Sequence, residues 1–332
     1  MAKVNEKIAA ARAHPNIAFI KYWGNRDSRL RLPENGSISM NLASIHTITR
    51  VVVDPELQND RFTLNEENQT GPAFQRVHQF LDLIRSKISN PYFAEVTSSN
   101  NFPSSAGIAS SASAFAALAV SAAAAYELDL NERDLSILAR MGSGSASRSI
   151  PAGFVEWYAS DSHTDSYAET IAPPEHWKLW DCIAIVEKSS KKVSSTAGHS
   201  LAGTSILQPA RTAGASSRLD ICRSAIIERD FQKLADIMEL DSNLMHAVMM
   251  TSNPPLIYWQ PESIHIMKEV MAWRKNGLEA AYTLDAGPNV HVICTEENHG
   301  EVKDLLENFP GVLEVLSSPP GSGAALIPHS QD

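Results

Sequence analysis

From Asn101 to Tyr126 the chain carries no charged side chain. The stretch "NFPSSAGIASSASA" (101–114) strings small hydroxyl residues around one glycine and then runs into an alanine-rich segment that ends at Glu127. Residues 105–126 are long enough to suggest a membrane span, but alanine and serine transfer weakly to lipid. A helix without polar or charged faces is instead expected to be buried all round, packed closely in a core. The loop before it has its own chemistry. The first N–H groups of a helix lack internal partners, the helix dipole adds positive charge there, and small residues let an anion approach the backbone. Ser104, Ser105, Ser110 and Ser111 add hydroxyls that donate hydrogen bonds or hold magnesium. The stretch matches neither a Walker A loop nor GxGxxG, so an ordinary serine-rich helix start remains the competing reading.

The rest of the chain suits a globular protein of one large or two ordinary domains. It has 332 residues, 43% hydrophobic and 20% charged. A net charge of -10 and a pI near 5.6 argue against a nucleic-acid or anionic-membrane partner, which needs a dense basic face. A small anionic ligand needs only a few local donors. Cys182, Cys222 and Cys294 lie far apart and follow no metal spacing, so buried free thiols in a reducing cytosol are expected. "MAKVNEKIAAARAHPN" lacks the apolar core of a signal peptide. Both features point to a cytoplasmic protein.

Residues 7–20, 46–53, 93–98, 153–158 and 181–187 read as strands, and 73–87, 107–126 and 131–140 as helices, the last capped by Asn131. The second half reads as helix over 215–251 with a break near Asp230, then helix over 261–276. Strands at 279–284 and 289–294, a helix at 298–308 and a strand at 312–316 follow. The pattern predicts an α+β or α/β chain in two lobes, 1–187 and 188–332, with the site in the cleft between them.

Three more segments carry chemistry. "MGSGSASRS" (141–149) sets Gly and Ser around a turn ending in Arg148, which can grip a carboxylate or phosphate bidentately; a flexible linker is the alternative. "HPNIAFIKYWGNRD" (14–27) places Asn16, Lys21, Tyr22 and Trp23 at the end of an apolar strand, with Gly24-Asn25 as a turn. "YTLDAGPNVHVIC" (282–294) holds Asp285 in a tight turn between strands, either as a turn former or as a rigidly placed catalytic carboxylate. His14, His46, His199, His246 and His291 follow no ligand spacing and read as surface or satisfied core residues. Trp23, Trp157, Trp259 and Trp273 read as packing residues, and "SSPPGSGAAL" as a plain loop before a final strand.

In order, "NIAFIKYWGNRD", "NNFPSSAGIASSASAFAALA", "GSGSASRSIPAGFVEW" and "YTLDAGPN" resemble the signature segments of diphosphomevalonate decarboxylases, in the GHMP-kinase superfamily. "KKVSSTAGHSL" (191–201) and "DSNLMHAVMMTSNPPLIYW" (241–259) extend the resemblance over nearly the whole chain. It implies a two-lobed α+β GHMP-kinase fold with the active site between lobes, ATP and magnesium as cofactors, a phosphorylated mevalonate as substrate, and a homodimer. It puts Pro103, Ser104, Ser105, Gly107, Ala109, Ser110 and Ser111 on the ATP phosphates. Asp285 orients or deprotonates the C3 hydroxyl, Lys21 keeps that carboxylate ionised, Ser110 holds the transferring phosphoryl group, and Arg148 with Asn16 holds the substrate carboxylate. Ser143, Gly144 and Ser145 line the pocket, with Tyr22, Asn25 and Arg76 toward the phosphate tail.

One departure matters. Members acting on the diphosphate usually read "KYWGK", and this chain reads "KYWGN". Loss of a cation penalises the more highly charged tail, and one charge-assisted contact is worth roughly 1.5–3 kcal/mol. The sequence therefore leans toward mevalonate 5-phosphate, giving isopentenyl phosphate, unless Arg26 or Lys192 replaces the charge. Mevalonate 5-diphosphate giving isopentenyl diphosphate is the alternative. A mevalonate 3-kinase that stops after phosphorylation and a non-catalytic binding protein are further alternatives; retention of Arg148, Lys21, Asp285 and the phosphate loop argues against both.

Overall fold

The β-branched run Thr47–Asp54 lies inside a sheet whose order is Ala325–Ile327, Lys7–Ala13, Thr47–Asp54, Phe93–Asn100, Arg61–Leu64, Glu67–Asn68. The computed structural model describes residues 7–88, 92–102, 110–188 and 194–328, and among them strands form four sheets. The helix Ser110–Ala125 lies on this first sheet against Lys7–Ala13 and Thr47–Asp54. Ala9, Ala11 and Ala13 belong to the same cluster as Ala116, Ala117, Ala119 and Ala122, and small side chains on both elements let their backbones approach closely. The helix is buried on nearly every side, as its composition requires. At its back a Cβ on Gly142 would lie 2.0 Å from the Phe115 ring, so only glycine fits there. No helix among the described residues is long and apolar enough to cross a membrane.

The apolar run 7–20 is not one strand. It breaks at His14-Pro15, where proline offers no N–H to a ladder, and its two halves enter different sheets. The second half, Asn16–Ile20, is the edge of a sheet ordered Ala168–Ala172, Phe154–Trp157, Ser37–Asn41, Asn16–Ile20. A third sheet runs Ala280–Thr283, Val290–Thr295, Leu179–Ile185, Glu314–Ser318. Cys182 and Ala184 face the helices Pro261–Lys275 and Glu296–Glu307 through Ile266, Val270, Val302 and Leu306. Ile183, Ile185 and Ile293 face the other way. There the helices Ala215–Glu228 and Phe231–Met250 fill the space between the second and third sheets, so one core joins the two halves. The break between them is chemical: Arg229 takes a left-handed conformation (φ 58) and Asp230 caps the next helix by accepting the Lys233 N–H.

Strand pairing divides the chain differently from a cut at 187. Leu179–Ile185 hydrogen-bonds with strands of the second half, and Ala325–Ile327 returns to the first sheet beside Lys7–Ala13. An alternating pattern identifies a strand but not its partner. The three cysteines are buried and unbridged.

Candidate active site

Lys21 follows the strand Asn16–Ile20, and its ammonium reaches Asp285 across the two halves, Nζ to Oδ1 2.7 Å. Lys21 is 1% exposed and Asp285 28%, so the carboxylate opens to the cavity while the ammonium is sealed behind it. Burial pushes the Lys21 pKa down, and Asp285 opposes that shift.

The backbone around Lys21 is gripped on every side. Its N–H donates to Asp241 Oδ2 at 2.6 Å, and Arg218 Nε donates to the other Asp241 oxygen at 2.6 Å. Its carbonyl accepts from Arg211 at 2.7 Å and Asn35 at 2.9 Å, and Gln208 donates to the Trp23 carbonyl at 2.9 Å. Asp285 is positioned by the same helix, Phe231–Met250, that supplies Asp241. Ser242 Oγ accepts the Leu284 N–H at 3.0 Å, and the buried His246 ring lies beside the backbone of Leu284 and Asp285. The Gly287 N–H donates to the Asp285 carbonyl at 2.7 Å, closing the turn. One helix therefore fixes both members of the ion pair.

Arg148 ends a short 3-10 turn, Gly144–Ser149. Its guanidinium donates to Asn16 Oδ1 at 3.0 Å and Ser37 Oγ at 2.6 Å, and Asn16 Nδ2 donates to Ser149 Oγ at 2.8 Å. Burial holds Arg148 down at about 10, with Asp285 the largest opposing influence; it stays cationic at neutral pH. Asn16, Lys21, Arg148 and Asp285 line one cavity of about 760 Å³ together with Tyr22, Ser143, Gly144 and Ser145. A Cβ on Gly144 would sit 2.6 Å from the Tyr22 ring, so glycine is what lets this turn close on the pocket.

A second cavity, about 670 Å³, is mainly apolar. It is walled by Phe62, Leu64, Val96 and Phe115, with Thr49, Ser98 and Asn100 among its polar groups, and Ser110 and Ser111 at the helix start. Ser111 lines both cavities and its Oγ lies 3.1 Å from Ser143 Oγ. An apolar slot ending at a helix N-terminus fits a nucleotide: a flat base in the slot and phosphates at the helix start. Among the described residues no cluster of His, Cys, Asp or Glu suits a metal ion. Pro103, Ser104, Ser105, Gly107 and Ala109 lie outside the described residues.

Arg76 is not with the substrate-pocket residues. It lines the apolar cavity, stacks its guanidinium 4.8 Å from the Phe115 ring and donates to the Gly142 carbonyl at 3.0 Å. Arg26 pairs with Asp161 at the surface, and Lys192 lies outside the described residues. Asn25 Oδ1 accepts the Tyr22 hydroxyl, and burial raises that phenol to about 12. Sequence reasoning missed three residues. Arg31 lines the Lys21–Asp285 cavity from outside every motif. His199 lines it too, stacked between Tyr22 and Trp23 at centroid distances of 4.1 and 4.6 Å. His246 lies beneath Asp285 as described above. Neither histidine has a ligand spacing, and only their position beside "KYW" and "YTLD" in space reveals them. Trp23 is a pocket wall as well as a packing residue.

Family models match the chain in two consecutive pieces. The "Diphosphomevalonate decarboxylase-like N-terminal domain" covers residues 13–168 and the "Mevalonate 5-diphosphate decarboxylase C-terminal domain" covers 182–318. The diphosphomevalonate decarboxylase of Ganoderma lucidum is 38% identical over 339 residues, spanning 94% of this chain and 84% of that protein. The crystal structure of mevalonate diphosphate decarboxylase from Staphylococcus aureus is 37% identical, covers 98% of this chain and 99% of its own, and superposes with a TM-score of 0.91. The structure of MDDEF in complex with MVAPP, AMPPCP and magnesium is 36% identical, with 97% and 99% coverage and a TM-score of 0.91. Matches of this extent, with the ion pair and arginine gathered in one cavity, leave a single conclusion: this chain belongs to the diphosphomevalonate decarboxylase family of the GHMP-kinase superfamily.

Proposed function

We propose that this chain catalyses ATP-dependent decarboxylation of a phosphorylated mevalonate, with mevalonate 5-diphosphate as substrate and isopentenyl diphosphate, carbon dioxide, ADP and phosphate as products. The observation that carries the reading is the Lys21–Asp285 pair, 2.7 Å apart, in one cavity with buried Arg148. ATP with magnesium would supply the phosphoryl group that turns the C3 hydroxyl into a leaving group, and Ser110 and Ser111, which line the neighbouring cavity, would hold its phosphates. Asp285 takes the C3 hydroxyl proton. Lys21 keeps that carboxylate anionic and fixed. Arg148, braced by Asn16 and Ser37, holds the substrate carboxylate so that its C–C bonding electrons flow toward C3 as phosphate departs. The buried wall of Trp23 and Met245 excludes water from the developing positive charge. Assembly as a homodimer in the cytoplasm belongs to the same proposal.

The relatives named above are diphosphate enzymes, which favours the diphosphate over the monophosphate that Asn25 suggested. One observation still favours mevalonate 5-phosphate as a second reading: Asn25 is neutral and engaged by Tyr22, while Arg26 is drawn off to Asp161. The test compares kcat/KM for the two esters while following ADP and carbon dioxide together. Equal release of both products, fastest with the diphosphate, is expected. Preference for the monophosphate moves the substrate and keeps the chemistry. ADP without carbon dioxide means a 3-kinase, and no turnover with either ester defeats the proposal.

A further inference from the structure

Arg31 faces the pocket with its charge unspent. It holds a left-handed backbone conformation (φ 50), one that L-residues with long side chains seldom adopt and that recurs where structure serves a site. Its Nε donates to the Met141 carbonyl at 3.0 Å, which fixes the plane of the guanidinium. Among the described residues no carboxylate pairs with it. It lines the same cavity as Tyr22, Ser145 and His199.

His199 complements it. The Gly24 N–H donates to His199 Nδ1 at 3.1 Å. A ring nitrogen that accepts cannot carry the proton, so the neutral imidazole has its N–H at Nε2. Gly24 is held to this turn: its φ is 96, and a Cβ would meet Gln208 at 2.6 Å. Burial, followed by Arg31, Arg211 and Arg148, keeps the ring neutral, pushing its pKa down to about 3. Stacking between Tyr22 and Trp23 locks its orientation, and no described residue accepts from Nε2. The cavity thus has two groups of donors. Lys21 and Arg148 surround Asp285, and Arg31 and His199 gather around Tyr22.

We propose that Arg31 and His199 form the subsite for the substrate's phosphate tail, with Arg31 supplying the cation that position 25 lacks and His199 a fixed N–H donor. The inference rests on the reading above that a phosphorylated mevalonate occupies this cavity. It accounts for how a diphosphate is tolerated beside Asn25: the charge has moved to another position of the same hairpin, in which Asn25–Asp27 pairs with Leu32–Pro33. A guanidinium meets phosphate oxygens with two parallel N–H bonds, so relocation to an arginine suits a multiply charged tail.

The experiment measures KM and kcat with both phosphorylated mevalonates and with ATP for the wild-type chain, Arg31→Ala, His199→Phe and the double variant Asn25→Lys/Arg31→Ala. Arg31→Ala should raise KM for the esters about tenfold to a hundredfold, more for the diphosphate, with kcat within about twofold and KM for ATP unchanged. His199→Phe keeps the aromatic stack and removes the N–H; a rise in KM of about threefold to tenfold is expected. Asn25→Lys in the Arg31→Ala background should recover most of the lost affinity. An unchanged KM in Arg31→Ala, equal loss toward ATP and ester, or no recovery from the lysine would overturn the subsite. Lack of turnover by the wild-type chain with either ester would instead overturn the reaction on which it rests.

Discussion

Replacing Asp241 with asparagine tests whether the buried network beneath Lys21 positions the ion pair. Asp241 is completely buried, and its two oxygens take the Lys21 N–H and Arg218 Nε, each at 2.6 Å. Arg218 is itself 7% exposed, and its Nη2 donates to the Arg211 carbonyl at 2.6 Å. Asparagine keeps the volume and one acceptor but strands the Arg218 charge. Breaking a buried pair from one side costs about 3–5 kcal/mol, and the retained acceptor favours the lower end, about 3 kcal/mol. Freed from its carboxylate, the Lys21 backbone no longer sets Nζ against Asp285, and a displacement of about 1 Å at a reacting group costs on the order of a hundredfold in rate. Urea unfolding gives the first quantity as a shift of midpoint at constant slope, and kcat under ATP saturation gives the second. Arg218→Met with Asp241→Leu should recover stability without recovering kcat, since no acceptor remains for the Lys21 N–H. A variant that loses stability yet turns over at the wild-type rate would refute the positioning role, and one that loses neither would refute the network.

Three further expectations follow from the same geometry. Asp285→Asn should lower kcat by about a hundredfold to ten-thousandfold with small change in KM for ATP, read by coupled ADP release; near-normal kcat would remove Asp285 from the chemistry. Gly142→Ala forces a Cβ into the Phe115 ring at 2.0 Å and should cost about 1–3 kcal/mol in urea unfolding, whereas Gly203→Ala, with open space around it, should cost far less. His246 is pushed down to about 3 by burial and then by Lys21, against hydrogen bonds to Leu284 and Asp285. The unfolded chain then binds the extra proton between that value and 6.5, so stability is complete above pH 6.5 and drains away as pH falls toward 3. His246→Phe should flatten that part of the urea midpoint against pH, and an unaltered slope would show that another group titrates.

The chain announces some of this structure and hides the rest, for physical reasons. A run such as 110–125, with no charge and little bulk, has one comfortable environment, so its burial is legible. Asp285, Lys21 and Arg148 each sit in a short segment whose residue types admit chemistry, though Asp285 also suits a plain turn and Arg148 a linker. Their meeting depends on Phe231–Met250, whose Asp241, Ser242 and His246 look like ordinary core polars until the fold sets them under two distant turns. Arg31 and His199 were invisible because each needs a partner 168 positions away in the chain, and no local period encodes that. A helical arginine such as Arg76, one turn into Pro72–Arg85, does not declare in sequence which side of Phe115 it takes. The break at Pro15 was readable in principle, since proline seldom continues a central ladder, yet uninterrupted apolar character on both sides masked it.

Ala10 faces Ile327 across the outermost ladder of the first sheet. During synthesis the strand Lys7–Ala13 waits for that neighbour while every element between them is translated. A nascent chain therefore displays a ragged, pairing-competent border until Ala325–Ile327 emerges, the situation in which chaperones, or aggregation with sister chains, have their opening. Fusing cargo or a tag close behind Ile327 would interfere with the stitch that closes this border, and the damage would surface as poor yield rather than as altered catalysis.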